Sequence, residues 1–166
     1  MNLSPYNIEK INFDGQILYQ TGQGSGQIGM PGDMTPPSTF IRASFNQLCA
    51  IKCNTDIEAV DMAFHILSSF DIVPGTCRHR ADKKEIDMIG KEKLILTDKD
   101  DICEITQITV VKDLNNFIIY YKGYFNMNIK KIDCKKFDFS KPEKTIKGRI
   151  YSDYCDKYVD ITDKLN

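Results

Sequence analysis

Residues 22–45, GQGSGQIGMPGDMTPPSTFIRASF, restrict the fold more than any other part of this sequence. Residues 22–37 contain five glycines and three prolines. Glycine permits positive φ and close backbone approach, whereas proline fixes φ and lacks an N–H donor. Such a run is neither helix nor strand, so we predict an irregular loop of defined shape. This loop, residues 22–37, is called the lip below.

The segment after the lip has a helical pattern with one arginine. Pro36, Pro37 and Ser38 predict a helix start with Ser38 as the N-cap. Apolar residues then recur every three to four positions, which predicts a helix over about 38–51. Arg42 lies off the apolar face, near the lip. Two interpretations are open: a surface arginine with an extended side chain, or a guanidinium that orients a nucleophile or carboxylate at a site beneath the lip.

A second helix is predicted over about 55–70. Thr55 followed by Glu58 forms a capping box, and apolar residues follow at helical spacing. Pro74 and Gly75 lie beyond its end. The short connection between the two helices predicts that they are antiparallel neighbours.

The remaining segments predict antiparallel strands. Asp14-Gly15 predicts an early hairpin. Strand signals extend over about 93–133, with a turn at 114–116, and residues 93–97 are ended by the charged run 98–101. Residues 76–91 are interpreted as an exposed loop, and residues 134–166 as a strand with a weakly ordered tail. The fold class expected is α+β, in a single partial domain covering 1–166.

Composition excludes several function classes. The net charge of −1 across 166 residues favours neither nucleic acid nor an anionic membrane as a partner. No apolar run approaches the ~20 residues of a membrane span. The first residues do not resemble a secretory signal, so we expect a cytoplasmic location. The six cysteines are interpreted as free thiols, although their even number leaves a disulfide framework open.

Other candidate sites are weaker. Gly24 to Gly29 matches G-x-G-x-x-G, but a dinucleotide loop needs a helix to begin at once, which the following MPGDMTPP delays. The spacing of Cys49, Cys53, Cys77 and His79 is not that of a standard zinc site. His65 is better explained as a buried or boundary residue than as a catalytic base, and His79 as a solvent-exposed residue. Asp33 is a turn or capping residue by default, with a functional role open because it adjoins the lip.

These residues resemble one known family. Residues 22–45 are similar to the signature G-x-G-x-x-G-[LM]-P-G-D-x-[ST]-x-[PS]-S-R-F-[VI]-R-A-x-F of the choloylglycine hydrolases, which include bile salt hydrolases and penicillin V acylases. The resemblance continues in order along nearly the whole chain, at 2–5 (NLSP), 63–67 (AFHIL), 70–75 (FDIVPG), 106–109 (TQIT), 112–114 (KDL), 120–121 (YY) and 129–133 (IKKID).

The resemblance implies a fold, a reaction and a set of catalytic groups. The fold is the four-layer αββα sandwich of the N-terminal-nucleophile hydrolases. The reaction is hydrolysis of a linear amide C–N bond, as in conjugated bile salts, penicillin V or acyl homoserine lactones, without a cofactor. The family nucleophile is a cysteine at the mature N-terminus whose own amino group acts as the base. Of that catalytic set, only the arginine of the helix signature has a counterpart here, Arg42.

The departures from the family pattern define the functional expectation. Asn2 follows Met1, Thr39 replaces the first signature arginine, and Ile108 replaces a tryptophan. We therefore expect the C-terminal portion of a hydrolase with the N-terminal half absent, inactive alone, partnered by that half or by further copies of itself. The alternative is a non-catalytic module that binds a ligand or another protein.

Overall fold

The structure, a computed structural model, describes residues 3–8, 10–19, 22–80, 82, 84, 96–98 and 101–140. Most of the predicted tail and the predicted strand start at 93–95 lie outside the described residues. The chain divides into two compact units, Met1–Lys52 and Cys53–Asn166, where the sequence predicts one partial domain. Contacts are concentrated within each unit.

The first unit begins with a small hairpin. Strand β1 (Lys10–Phe13) pairs antiparallel with β2 (Gln16–Tyr19), and Phe13 lies opposite Gln16. The turn residues Asp14 and Gly15 have φ of 49° and 79°. Positive φ at both central residues matches a type I′ turn, whose twist suits a two-residue hairpin. The hairpin predicted from Asp14-Gly15 is confirmed.

Helix α1 (Pro36–Cys49) completes the first unit, and its start differs from the prediction. The N-cap is Thr35, so the prediction of Ser38 as N-cap is wrong. Both prolines fit the first turn, because their fixed φ is helical and N–H groups there need no helical partner. Ser38 lies inside the helix, where its hydroxyl donates to Asp33 Oδ2 at 2.6 Å.

The second unit begins with helix α2 (Asp56–Ser68), capped as predicted. Thr55 Oγ1 accepts a hydrogen bond from the Glu58 backbone N–H at 3.2 Å. Glu58 Oε2 in turn accepts from the backbone N–H of Asn54 at 2.8 Å, one residue before the N-cap. The capping box is thus confirmed, with its return bond shifted by one residue.

Two three-stranded antiparallel sheets follow in the described residues of this unit. One has the order β3-β5-β4, from β3 (Arg78–Arg80), β4 (Leu96–Asp98) and β5 (Asp101–Cys103). The other has the order β6-β7-β8, from β6 (Ile108–Asp113), β7 (Ile118–Gly123) and β8 (Asn126–Asp133). The predicted meander and its turn after residue 113 are confirmed by β6, β7 and β8.

Only part of the small sheet was predicted: β4 at Leu96–Asp98 overlaps the strand expected at 93–97. Residues 78–80 form a strand where the sequence analysis has a loop, and the charged run that was expected to end a strand also begins β5 at Asp101. All three residues of β3 are exposed and none is apolar. The sequence therefore lacks the alternation of apolar and polar residues that would indicate a strand there. In the register of β4 and β5, Asp98 lies opposite Asp101.

Helix α2 packs against one face of the β6-β7-β8 sheet. Lys122 on this face donates to Ser68 Oγ of α2 at 2.7 Å, and Thr109 lies beside Lys122 in the register. The opposite face carries Ile108, Val110 and Ile132, which are 39%, 39% and 37% exposed. We call these three residues, with Ile119 and Tyr121 between them, the open face; Lys112 and Lys130 lie on the same side of the sheet, opposite Ile119 and Tyr121. The architecture is α+β, with two helices and antiparallel sheets.

Candidate active site

The lip has the irregular course that its glycines predict. Gly24 and Gly29 have φ of 97° and 91°, in the region that favours glycine. A short 3-10 turn, Ser25–Gln27, lies between them, and α1 begins only at Pro36. No helix N-terminus therefore follows the glycine motif directly, in agreement with the rejection of a dinucleotide loop.

The beginning of the chain is hydrogen bonded to the first part of the lip. Asn7 Oδ1 accepts from the backbone N–H groups of Gly24 and Ser25, at 2.6 and 3.2 Å. Ser25 Oγ accepts from the backbone of Ile8 at 2.7 Å, and the Ser4 N–H donates to Gly26 O at 2.9 Å. The NLSP and glycine-rich segments thus form one structural element, although they are distant in the sequence.

Gly26 is the position where this element is most tightly packed. A Cβ atom there would lie 2.0 Å from Tyr6 O and 2.5 Å from Ser4 O, both backbone atoms. We expect Gly26→Ala to separate residues 4–8 from the lip and to lower the free energy of unfolding by about 1–3 kcal/mol, the usual cost of overpacking. Urea denaturation followed by circular dichroism measures this. Gly32→Ala is the matched control, because nothing lies within 4 Å of its Cβ position. Equal effects of the two substitutions would contradict the prediction.

Arg42 lies on α1 with its side chain directed to the second part of the lip. Its Nη1 donates to the backbone oxygens of Pro31 and Asp33, at 2.9 and 2.7 Å. Its Nη2 lies 3.8 Å from the Met34 sulfur. The side chain is half-buried. The structure therefore confirms the predicted position of Arg42 beside the lip. These contacts fix the plane of the guanidinium.

Asp33 is the centre of a hydrogen-bonded cluster with Thr35 and Ser38. Its carboxylate accepts from the Thr35 backbone at 2.9 Å, from the Ser38 hydroxyl at 2.6 Å, and from the Thr35 hydroxyl. The Ser38 hydrogen bond, followed by those from Thr35, lowers the pKa of Asp33 from 3.8 to about 2. Because the Asp33 carbonyl also accepts from Arg42, this cluster supports the backbone that the guanidinium contacts.

The Asp33 cluster predicts an acid-dependent loss of stability. A carboxyl group whose pKa is lowered in the folded state stabilises the fold fully above its unfolded pKa, and this contribution is lost as the pH falls through the folded pKa. For Asp33 the loss should occur between about pH 4 and pH 2. Urea midpoints measured across this range should fall less steeply in Asp33→Asn than in the wild type. Asp14→Asn, the same change in the β1–β2 turn, is the control, and parallel slopes in all three proteins would refute the assignment.

The other candidate residues lie on separate elements. His65 is exposed on α2, so its prediction as a buried or boundary residue is wrong, and His79 is exposed on β3, as predicted. Cys49, Cys53, Cys77, Cys103 and Cys134 are free thiols, and Cys155 lies outside the described residues. Among the residues that the structure describes, no group of three or more His, Cys, Asp or Glu side chains is arranged to hold a metal ion.

Sequence reasoning missed the polar residues that fix the lip. These residues are Asn7, Ser25 and Thr35. Their side chains satisfy backbone N–H groups of an irregular segment that has no ladder partners. Ser25 and Thr35 could have been found from their position inside the glycine- and proline-rich run, whereas Asn7 lies fifteen residues before Gly22 and carries no such signal.

Comparison with known proteins connects this geometry to one family. The model of the linear amide C–N hydrolases, choloylglycine hydrolase family, matches residues 1–89. A bile salt hydrolase/transferase of Clostridium perfringens is 33% identical over 134 residues, which are 79% of this chain and 34% of that protein. A bile salt hydrolase/transferase of Lactiplantibacillus plantarum is 28% identical over 133 residues, 79% of this chain and 34% of that protein.

A solved structure is similar as well. The crystal structure of a cysteine-to-alanine mutant of the conjugated bile acid hydrolase from Clostridium perfringens superposes with a TM-score of 0.64 at 31% identity. The superposition covers 90% of this chain and 40% of that chain. The chain thus spans about a third of the length of the curated relatives that it matches.

Proposed function

Because the chain belongs to the choloylglycine hydrolase family of linear amide C–N hydrolases, we propose that it supplies the arginine side of an active site that hydrolyses a linear amide bond. The observation that carries this proposal is the placement of Arg42. Its guanidinium is fixed against the lip by two backbone oxygens, at 2.9 and 2.7 Å, in a side chain that is only half-buried. A rigid cation at the edge of an irregular loop can orient a carboxylate or stabilise developing negative charge.

Arg42 supplies only part of the chemistry. Amide hydrolysis by this family, as the resemblance implies, needs an N-terminal cysteine as nucleophile and its amino group as base. In this sequence Arg42 is the residue that matches the family's catalytic set. We therefore expect the 166-residue polypeptide, assayed by itself, to show no turnover. No cofactor is required by this scheme.

The open face is evidence that a further layer of structure packs on this unit. A β-sheet with an uncovered apolar face is stabilised when a second layer packs on it. In an αββα sandwich, the face opposite the helix packs against a second sheet. We propose that the open face packs against a sheet from the remainder of the family fold, supplied in the same chain or by another, which completes the four layers. A further copy of the chain is the other candidate occupant.

The substrate class follows from the relatives. Proteins matched by this chain are named for hydrolysis of bile salts or conjugated bile acids. We propose an apolar acyl group in amide linkage to a small amine, with conjugated bile salts tested first and penicillin V second.

The free thiols of the described cysteines favour a reducing compartment such as the cytoplasm. Among the described residues, no helix has the length and apolar character to cross a bilayer.

Complementation tests the proposal. The part of the Clostridium perfringens relative that this chain does not cover would be co-expressed with the 166 residues, and release of glycine from glycocholate and of phenoxyacetate from penicillin V would be measured. We expect turnover only when both parts are present. Turnover by the 166-residue polypeptide alone would refute the need for a partner.

Complementation also separates the enzyme from the alternative function. A chain that stays monomeric in sedimentation, binds glycocholate and never gains activity with a complementary part would be a non-catalytic binding module. A chain that associates through its open face and gains activity with its partner would be part of the enzyme.

A further inference from the structure

The second unit contains a cleft that the proposed reaction does not use. It has a volume of about 610 Å³ and lies between residues 71–74, which follow α2, and the β6-β7-β8 sheet. Its walls are mainly apolar and include Ile72, Pro74, Tyr124 and Phe125. Small-molecule sites typically have volumes of roughly 300–1,000 Å³ and combine apolar walls with a few placed polar groups. The size and lining are therefore those of a ligand site.

A buried lysine lies at the floor of this cleft. Lys122 is only 8% exposed, on a strand that is otherwise aromatic and aliphatic. Its Nζ donates to Ser68 Oγ at 2.7 Å and lies 3.5 Å from Asp71 Oδ2. The Ser68 hydroxyl donates onward to Phe64 O at 2.7 Å, so its oxygen is oriented to accept from Lys122. The ammonium is thus positioned by the helix behind it, and both Lys122 and Asp71 line the cleft.

The two charged groups limit which ligand can bind. A carboxylate placed near Lys122 would also meet the negative charge of Asp71, and an ammonium placed near Asp71 would meet Lys122. The ion pair at 3.5 Å is long for a strong charge-assisted hydrogen bond, which lies near 2.7–2.9 Å. A neutral amide has an acceptor oxygen for Lys122 and a donor N–H for Asp71 in one planar group. Its apolar substituent would contact the walls.

We propose that this cleft binds an apolar carboxamide, with the amide oxygen accepting from Lys122 and the amide N–H donating to Asp71. The site is formed entirely by residues of the second unit. It does not depend on Arg42 or on the proposed hydrolysis, and binding here requires no bond to be broken.

Three probes of nearly the same shape test the proposal: phenylacetamide, phenylacetate and phenethylamine. Binding to the full 166-residue chain would be followed by the shift of the Met127 methyl resonance at the edge of the cleft. We expect phenylacetamide to bind about tenfold more tightly than either charged probe, because it satisfies both groups without like-charge repulsion. Equal affinity for all three probes, or no saturable shift with phenylacetamide, would overturn the proposal.

Substitution of the aspartate gives the sharper result. Asp71→Asn removes the negative charge but keeps the shape, so phenylacetate should gain about tenfold in affinity and become the preferred probe. Asp61→Asn, the same change at an exposed position of α2, should leave the order of the probes unchanged. An unchanged order in Asp71→Asn would contradict the assigned roles of the two charges.

A second substitution locates the binding site without disturbing the buried lysine. Val73 lines the cleft but is exposed, so Val73→Trp should fill the cleft while the fold is kept. Phenylacetamide affinity should then fall about tenfold or more. Unchanged binding in this variant would place the probe elsewhere and refute the site. Loss of hydrolysis in the complementation assay would not affect these measurements, so the two proposals fail independently.

Discussion

Replacing Arg42 with lysine should lower the kcat/KM of the complemented hydrolase by about a hundredfold or more. The guanidinium contacts Pro31 O and Asp33 O with one nitrogen while presenting a planar group at the lip. A lysine ammonium could replace the two contacts of Nη1, but it lacks the second terminal nitrogen of arginine, so no planar cationic donor would remain beside the lip for the reacting groups. Loss of one fixed charge-stabilising donor typically lowers kcat by about 10²–10³. Steady-state hydrolysis of glycocholate measures the effect.

The control for Arg42→Lys is Arg78→Lys in the second unit. Arg78 also donates to a backbone oxygen, that of Gly75 at 3.0 Å, and lies 3.8 Å from Asp101. Thermal midpoints of both variants should be measured with the kinetics, because Arg42 also stabilises the lip. If kcat falls by more than the unfolded fraction of the variant accounts for, Arg42 has a catalytic role. Near wild-type kcat/KM in a folded Arg42→Lys protein would leave Arg42 with the structural role alone.

A single acidic substitution on the open face should prevent the complementary part from binding. Val110 lies in the middle of this face, between Ile108 and the side chain of Tyr121, which lies opposite it in the register. Val110→Asp would place a carboxylate in the layer between two sheets, and its desolvation is costly even with Lys130 on the same face, 5.7 Å from the Tyr121 ring centroid. We expect affinity for the complementary part to fall by about a hundredfold or more, since the penalty exceeds several kcal/mol. Sedimentation velocity and recovered turnover both measure it.

Leu114→Asp is the matched change for Val110→Asp. Leu114 is 77% exposed in the β6–β7 turn, in the same sheet but away from the open face. This variant should bind and be complemented like the wild type. Normal complementation of Val110→Asp would show that the open face is not the contact surface. The proposal of a packed second sheet would then be wrong, whatever the result for Arg42.

Local signals predicted the parts of the fold that depend on neighbouring residues. The Asp14-Gly15 hairpin, the Thr55 capping box and the β6-β7-β8 meander all follow from backbone preferences and hydrogen bonds within a few residues. Strand β3 was missed because it is an exposed edge strand without apolar alternation. Ser38 was misplaced because two prolines can occupy the first helical turn ahead of it.

The sequence by itself determined the irregular lip, the helix that follows it and the resemblance that indicated a family of amide hydrolases. These depend on glycine and proline stereochemistry and on residues at fixed spacing along the chain. Only the tertiary structure decided that residues 4–8 bond to the lip, that Arg42 contacts the lip backbone through Pro31 and Asp33, and that Lys122 meets Asp71 in a cleft. The sequence placed Arg42 near the lip but not on particular atoms, and the other two contacts join segments whose spacing in the sequence carries no information about distance, because the connecting backbone can place them together or apart at similar local cost.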